Sequence, residues 1–219
     1  KLYTGEIAKE TYEPVTEKKN EGFLTAGQVQ YVCRAGNFIR EGLPYTGALR
    51  VLKVMMGYDY LWNQVRVVGG AYGCMCSFSR NGYGFFTSYR DPNLSATLDV
   101  YKKAAEYVRN FEAGQRDMTK YIIGTISGID QPLEPAALGD RSFHAYQSGV
   151  TVEMIQKERN QVLDATEETI RSLAGYIETM MDAGTVCAIG NDRKLEEEKE
   201  LFKPVSYTHL RAHETGAYL

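Results

Sequence analysis

LWNQVRVVGGAYGCMCSFSRNGYGFFTSYRDPN, residues 61–93, is the stretch of this chain that decides its fold. Two segments rich in aromatic residues, 72–80 and 83–90, lie on either side of the dipeptide Asn81-Gly82. Asn-Gly between such segments is the strongest short-range sequence signal for a tight turn that joins two antiparallel strands. The stretch therefore predicts a β-hairpin.

Two side chains that donate hydrogen bonds precede the hairpin. Arg66 and Tyr72 lie on either side of Gly69 and Gly70. Because glycine adopts φ > 0 readily, this glycine pair predicts a sharp turn from a helix into the first strand. Arginine presents a permanent planar fork of donors and tyrosine a phenolic donor, so together they can hold a carbonyl oxygen or its oxyanion. On the residues alone, an alternative stays open, in which Arg66 caps a helix and Tyr72 packs in the core.

The elements upstream of the hairpin follow from hydrophobic spacing and breaker residues. Residues 1–20 are rich in Lys, Glu and Thr without an apolar period, which predicts a linker or leading arm. The segment 27–37 alternates between apolar and polar residues, as a strand does. After the break at Pro44, Thr46 is the predicted N-cap of a helix that runs towards Arg66.

The rest of the chain is mainly helical in its periodicity. Asp91 followed by Pro92 predicts the start of an amphipathic helix that extends to Phe111. Strands near both ends of the chain with helices between them predict an α+β domain, a mainly antiparallel sheet with helices packed on one face. The remaining predicted elements are helices over 116–128, 134–148 and 151–183, the last as one helix or two, a buried strand over 185–190 and a charged closing helix over 192–202.

Composition excludes two classes of partner. The chain has 219 residues, 43% of them hydrophobic, which is enough to build a full core in one large or two small domains. A net charge of -3 with the two signs interspersed lacks the basic stripe of a nucleic-acid-binding surface. No apolar run approaches the length of a membrane span. We therefore expect neither nucleic acid nor a membrane as a partner.

The cysteines predict buried thiols rather than a metal site. Cys33, Cys74, Cys76 and Cys187 contain no C-x-x-C pair and are too sparse for a disulfide scaffold. Reduced thiols in a cytosol-like compartment are the expectation. Cys74 and Cys76 share one face of a strand, but two thiols without further ligands make a weak metal site.

Four segments together resemble a known family: NEGFLTAGQVQYV, LPYTGALRVLKVMMGYDYLWNQVRVVGGAYG, SYRDPNLSATLDVY and TKYIIGTISGIDQPLEP. In this order they are similar to the C-terminal end of the pitrilysin/insulinase-type zinc metallopeptidases, and within them to the presequence-protease-like subgroup. The resemblance covers roughly Glu21 to Pro204. It implies two bowl-shaped halves, each of two α+β domains, that close around a peptide. This chain resembles the last of the four domains, so residues 21–204 are its expected extent.

The resemblance also implies roles for particular residues. Arg66 and Tyr72 match the arginine and tyrosine that the C-terminal half of such enzymes contributes to the chamber, where they bind substrate and stabilise the tetrahedral intermediate. Gly69 and Gly70 match the turn that supports them. The zinc motif HxxEH belongs to the first domain of the family and is absent here. The expected cofactor is therefore zinc in the intact enzyme, held by the N-terminal half, with no metal bound by this chain.

Near the end of the chain, one pair of histidines has the spacing of a metal-binding motif. His209 and His213 are four residues apart, as zinc ligands on a helix can be. They follow Pro204, where the resemblance stops, and the string SYTHLRAHET resembles a translated sequencing adapter. We therefore interpret residues 205–219 as a foreign tail without a metal site.

The sequence thus predicts the C-terminal part of a zinc-dependent oligopeptidase that degrades unstructured peptides in a closed chamber. Its expected partners are a peptide substrate and the N-terminal half of the same protein, and this fragment alone is expected to be inactive. The expected compartment is the bacterial cytoplasm, or an organelle matrix in a eukaryote. The alternative is a non-catalytic structural or assembly homologue of the same superfamily.

Overall fold

A single mixed β-sheet organises the molecule. The computed structural model describes residues 18–202 and, as backbone only, residues 208–209. The sheet order is β3-β4-β2-β5-β1-β6; β1 pairs in parallel with β5 and β6, and the other pairs are antiparallel. The strands are β1 Glu21–Thr25, β2 Gln30–Asn37, β3 Gly73–Phe78, β4 Tyr83–Asp91, β5 Thr185–Asn191 and β6 Thr208–His209.

Helices connect the strands of this sheet. The last of them runs into a short 3₁₀ turn, Lys199–Leu201. Among the described helices, none combines the length and the hydrophobicity that crossing a bilayer requires. The helical elements are α1 Ala48–Met55, the π-helical segment Met56–Val68 that continues it, α2 Ser95–Arg109, α3 Gln115–Ile129, α4 Pro135–Gln147, α5 Val152–Leu163, α6 Glu167–Ser172, α7 Ala174–Ala183 and α8 Asp192–Glu197.

Helices α1, α2 and α7 cover one face of the sheet and form the core with it. Tyr101 of α2 is fully buried, stacks on Phe86 of β4 at 5.6 Å between ring centroids, and donates a hydrogen bond to the carbonyl oxygen of Val32. A Cβ atom on Gly36 of β2 would collide with the carbonyl oxygen of Met180. Glycine at this position therefore lets α7 lie directly on the strand. The predicted fold class, a mainly antiparallel sheet with helices on one face, is confirmed.

The other face of the sheet carries no helix in the described part of the chain. Along β5 buried and half-buried residues alternate, so Val186 and Ala188 face the helices and Cys187 faces away. The same alternation places Tyr31 of β2 and Tyr89 of β4 on the uncovered side, where they are 40% and 43% exposed. We call this side the open face.

Several predicted boundaries differ from the structure; the N-cap of α1, for example, is Gly47 rather than Thr46. The helix expected from Asp91 begins at Ser95, because the buried Asp91 carboxylate closes the preceding turn, accepting from the backbone N–H of Asn93 at 2.8 Å and the hydroxyl of Thr97 at 2.7 Å. Strand β1 lies ahead of the predicted strand and was not predicted. The helical run over 151–183 is three helices, broken where the Thr166 hydroxyl caps the second one.

Candidate functional site

Arg66 lies in the last turn of the π-helical segment, between two aromatic rings. Its guanidinium carbon is 4.1 Å from the ring centroid of Trp62 and 5.6 Å from that of Tyr72. Trp62 precedes Arg66 by one helical turn, and Tyr72 approaches from beyond the glycine pair. Cation–π contact with both rings restricts the orientation of the guanidinium.

The glycine pair makes the close approach of Arg66 and Tyr72 possible. Gly70 has φ +81°, which L side chains rarely adopt, and its N–H donates to the carbonyl oxygen of Arg66 at 3.0 Å. A Cβ atom on Gly69 would lie 2.6 Å from the carbonyl oxygen of Val65. Both glycines are therefore required by the backbone geometry, and the turn between them brings Tyr72 back over the helix end.

Tyr72 is tied to the hairpin but keeps its side chain in solvent. Its N–H donates to the carbonyl oxygens of Tyr89 at 3.1 Å and Arg90 at 3.3 Å. Its ring meets that of Tyr89 edge-on at 5.7 Å, and Tyr89 in turn meets Tyr31 at 5.4 Å. With 62% of its surface exposed, Tyr72 is not a core residue. Arg66, Tyr72 and two further tyrosines thus form a continuous path onto the open face.

The donor groups of the pair are free to bind a ligand. Among residues 18–202, no carboxylate lies within ion-pair distance of the Arg66 guanidinium, and the Tyr72 hydroxyl has no hydrogen-bond partner. The positive charge of Arg66 opposes the effect of burial on Cys74, whose thiol pKa burial raises. In the described part of the chain, the guanidinium N–H groups have no hydrogen-bond acceptor. A carbonyl oxygen or oxyanion is a suitable acceptor for them.

The backbone is strained where the hairpin meets this site. Arg90 is a non-glycine residue with φ +49° in the described part of the chain, and it lies beside a register irregularity between Gln30 and Val32. Such a conformation costs on the order of 1–3 kcal/mol and concentrates at functional sites. It directs the Arg90 carbonyl towards the N–H of Tyr72. No sequence pattern predicts this strain, whereas the position of Trp62, one turn before Arg66, was a readable signal that the prediction did not use.

The described residues do not provide a metal site. Within residues 18–202, no three His, Cys, Asp or Glu side chains converge as metal ligands would. His144 is exposed, and its Nδ1 lies 2.8 Å from the carbonyl oxygen of Asp140. Only the backbone of His209 is described, and His213 lies outside the described residues. Residues 18–202 therefore do not fit a catalytic zinc ion, which needs three protein ligands.

Comparison with known proteins assigns the chain to a family. Residues 20–192 match the family described as the PreP C-terminal domain. Protein HypA of Clostridium perfringens is 45% identical over 205 residues, which are 94% of this chain and 21% of that protein. Presequence protease 1, chloroplastic/mitochondrial, of Arabidopsis thaliana is 35% identical over 179 residues, 81% of this chain and 17% of that protein. The chain thus spans about a fifth of the length of these curated relatives.

Solved structures agree on the fold. The peptidase M16 inactive domain from Pseudomonas fluorescens aligns with a TM-score of 0.60 at 16% identity, covering 85% of this chain and 47% of that one. Pitrilysin aligns with a TM-score of 0.58 at 13% identity, covering 89% of this chain and 22% of that one. At these identities the likeness carries the fold alone.

Proposed function

The chain belongs to the PreP C-terminal domain family of pitrilysin-type (M16) peptidases, and on that premise we propose that it is the non-zinc, C-terminal part of an oligopeptidase. In this proposal Arg66 and Tyr72 bind the substrate carbonyl next to the scissile bond and stabilise the oxyanion that develops on it. The intact protein hydrolyses unstructured peptides in a chamber that the N-terminal half completes.

One observation carries the proposal: the Arg66 guanidinium is held between Trp62 and Tyr72 and, within the described residues, has no acidic partner. A structural arginine ordinarily satisfies its donors with a carboxylate or with backbone carbonyl oxygens. Here the rings orient the cation while its hydrogen-bonding rim stays open. This is what a donor needs if it is to be in place before charge develops on the substrate.

The two donors differ in the hydrogen bonds that they can make to the substrate carbonyl. The guanidinium supplies a fixed positive charge and paired N–H donors, whereas the Tyr72 hydroxyl supplies one neutral donor from the other side of the turn. Both strengthen their hydrogen bonds as the carbonyl oxygen gains negative charge, and closure of a chamber excludes water that would compete with them. The two residues hold and polarise the carbonyl, and neither transfers a proton.

We assign the zinc ion of the intact enzyme to the N-terminal half, because residues 18–202 offer no ligand set for it. The steps at the metal therefore lie outside this chain, which contributes Arg66 and Tyr72. For the same reason we propose that the chain is inactive by itself. The family match over residues 20–192 falls almost entirely within the proposed domain, 21–204.

A second candidate is a non-catalytic homologue in which the same fold serves assembly. Two aligned structures, from Pseudomonas fluorescens and from Bordetella parapertussis, are described as inactive peptidase domains. An inactive domain with this fold is compatible with either candidate here. Removing the donor groups of Arg66 and Tyr72 would leave the function of an assembly protein unchanged, whereas it would lower the activity of a peptidase.

Single substitutions in the intact protein test the proposal. Arg66→Ala and Tyr72→Phe should each lower kcat/KM for an unstructured peptide by about 10²–10³, with zinc content unchanged. A matched control is Arg40→Ala and Tyr83→Phe, because Arg40 lies over the Tyr83 ring at 5.8 Å in another, more exposed arginine–tyrosine pair. Near-normal kcat/KM in the Arg66 and Tyr72 variants would support the assembly candidate instead.

A further inference from the structure

Two cysteines lie opposite each other in the middle of the sheet. Cys33 of β2 and Cys187 of β5 are register partners in the antiparallel pair. Directly opposed residues in such a pair have Cα atoms about 4.5 or 5.5 Å apart, depending on their hydrogen bonding. Disulfides span Cα separations of about 4.4–6.8 Å, so either arrangement permits a bond.

The two thiols point to the same side of the sheet. Cys187 lies between the buried Val186 and Ala188, which face the helices, and Cys33 follows the buried Val32. Both thiols therefore project from the open face, where both are half-buried. Burial raises the pKa of both thiols, and Cys187 raises the pKa of Cys33 further, as expected for sulfur atoms that are close to each other. Both cysteines are free thiols in the structure.

The other two cysteines provide an internal comparison. Cys74 and Cys76 lie two residues apart on β3 and face the helices, with Cys76 buried. Residues i and i+2 of an extended strand are separated by about 6.4–6.8 Å, at the upper limit for a disulfide, and their side chains run parallel. Of these two pairs, Cys33 and Cys187 therefore have the separation and orientation that favour a disulfide bond.

We propose that Cys33 and Cys187 form a reversible cross-strand disulfide by exchange with a small-molecule disulfide such as oxidised glutathione. The thiolate of one cysteine attacks a glutathione sulfur, breaking the glutathione S–S bond and releasing one glutathione thiol. The second thiolate then attacks the protein sulfur of the mixed disulfide and releases the other glutathione. One glutathione disulfide is reduced to two thiols, and one protein disulfide forms.

The bond would link the two halves of the sheet covalently. Strands β2 and β5 join the hairpin half of the sheet, β3-β4-β2, to the half that contains the parallel pairs, β5-β1-β6. Cross-strand Cβ atoms lie about 4.5–5.5 Å apart, at or above the usual separation in a disulfide, so the bond would be readily reduced again. The site is thus a reversible modification site that is independent of the function proposed above.

Peptide mass spectrometry after oxidation tests the proposal. The folded chain is incubated with oxidised glutathione, remaining thiols are alkylated, and the digest is searched for disulfide-linked peptides. The expected product links Cys33 to Cys187 and disappears on treatment with dithiothreitol. In the unfolded chain this link should be rare, because its loop is the longest among the cysteine pairs and closing it costs the most entropy.

Variants separate this pairing from general reactivity. Cys33→Ser should leave Cys187 as a stable mixed disulfide with glutathione, and Cys187→Ser should do the same for Cys33. The double variant Cys74→Ser/Cys76→Ser should still form the link to the wild-type extent. If wild-type protein instead accumulates mixed disulfides at both positions, or links Cys33 to Cys74 or Cys76, the proposal is wrong.

Discussion

Replacing the glycines of the Gly69-Gly70 turn by alanine is the perturbation that most directly links fold to site. Gly69→Ala places a methyl group 2.6 Å from the carbonyl oxygen of Val65 and 3.1 Å from that of Gln64, both of them backbone atoms that cannot rotate away. Gly70→Ala meets no such obstacle, its nearest neighbour being a Pro92 side-chain atom at 3.5 Å, but forces alanine into φ +81°.

The expected losses of unfolding free energy follow from those two geometries. For Gly69→Ala the helix end must move by several tenths of an ångström, and overpacking of this kind costs about 1–3 kcal/mol. For Gly70→Ala the left-handed conformation costs an alanine roughly 1–2 kcal/mol. Gly57, in the same π-helical segment, has open space around it and an ordinary φ. Gly57→Ala should therefore stabilise the chain by up to about 1 kcal/mol.

Urea denaturation of the three variants, monitored by circular dichroism, measures these differences in unfolding free energy. Both turn variants should have lower transition midpoints than wild type, and Gly57→Ala an equal or higher one. In the intact protein the turn variants should also lose peptidase activity, because the turn sets the distance between Arg66 and Tyr72. If Gly69→Ala were as stable as Gly57→Ala, a collision between a Cβ atom at position 69 and the backbone carbonyl oxygens would be refuted.

Two other predictions concern stability. Glu158 is 5% exposed and binds both Arg50 and Arg80, so Glu158→Leu should cost about 2 kcal/mol in urea denaturation, less than for a fully buried pair because the arginines are 41% and 35% exposed. Glu178→Leu, which removes an exposed ion pair, should cost under about 1 kcal/mol, and equal losses for the two would contradict this. Deleting residues 205–219 removes only the two-residue edge strand β6 from the described structure. It should change stability by no more than about 0.5 kcal/mol in a thermal melt, and a large loss would show that the tail is integral.

The hairpin and its turn were predictable because their signals are local. Asn81-Gly82 joins two segments that pair with each other, and Gly82 has the positive φ, +86°, that the turn type requires. Strand β5 was predictable because Gly184 and a short apolar run mark it. In each case the residues that decide the structure are within a few positions of one another.

Strand β1 and the cysteine pair were not predictable, because their partners are distant in sequence. Glu21–Thr25 is short and pairs in parallel with β5, which follows more than 150 residues later. The same separation hides the opposition of Cys33 and Cys187. No local pattern sets the register between such segments.

The placement of Arg66 was predictable only in part. The glycine pair after the predicted helix indicated that Arg66 lies near Tyr72. The contact with Trp62 and the strained backbone at Arg90 were not predicted. The contact with Trp62 could have been predicted, because residues four apart on a helix are neighbours, but that spacing was not used. The strain depends on the register irregularity in a neighbouring strand.

A double-mutant cycle on Arg66 and Tyr72 in the intact protein tests the central claim most directly. Tyr72→Phe removes only the hydroxyl, because phenylalanine keeps a ring near Arg66, and Arg66→Lys keeps the charge but not the fork. If both donors serve one carbonyl oxygen, the combined loss in kcat/KM should fall short of the sum of the two single losses by at least about 1 kcal/mol. Additive losses, or single variants with near-wild-type kcat/KM, would contradict the claim that the two residues act together on the substrate.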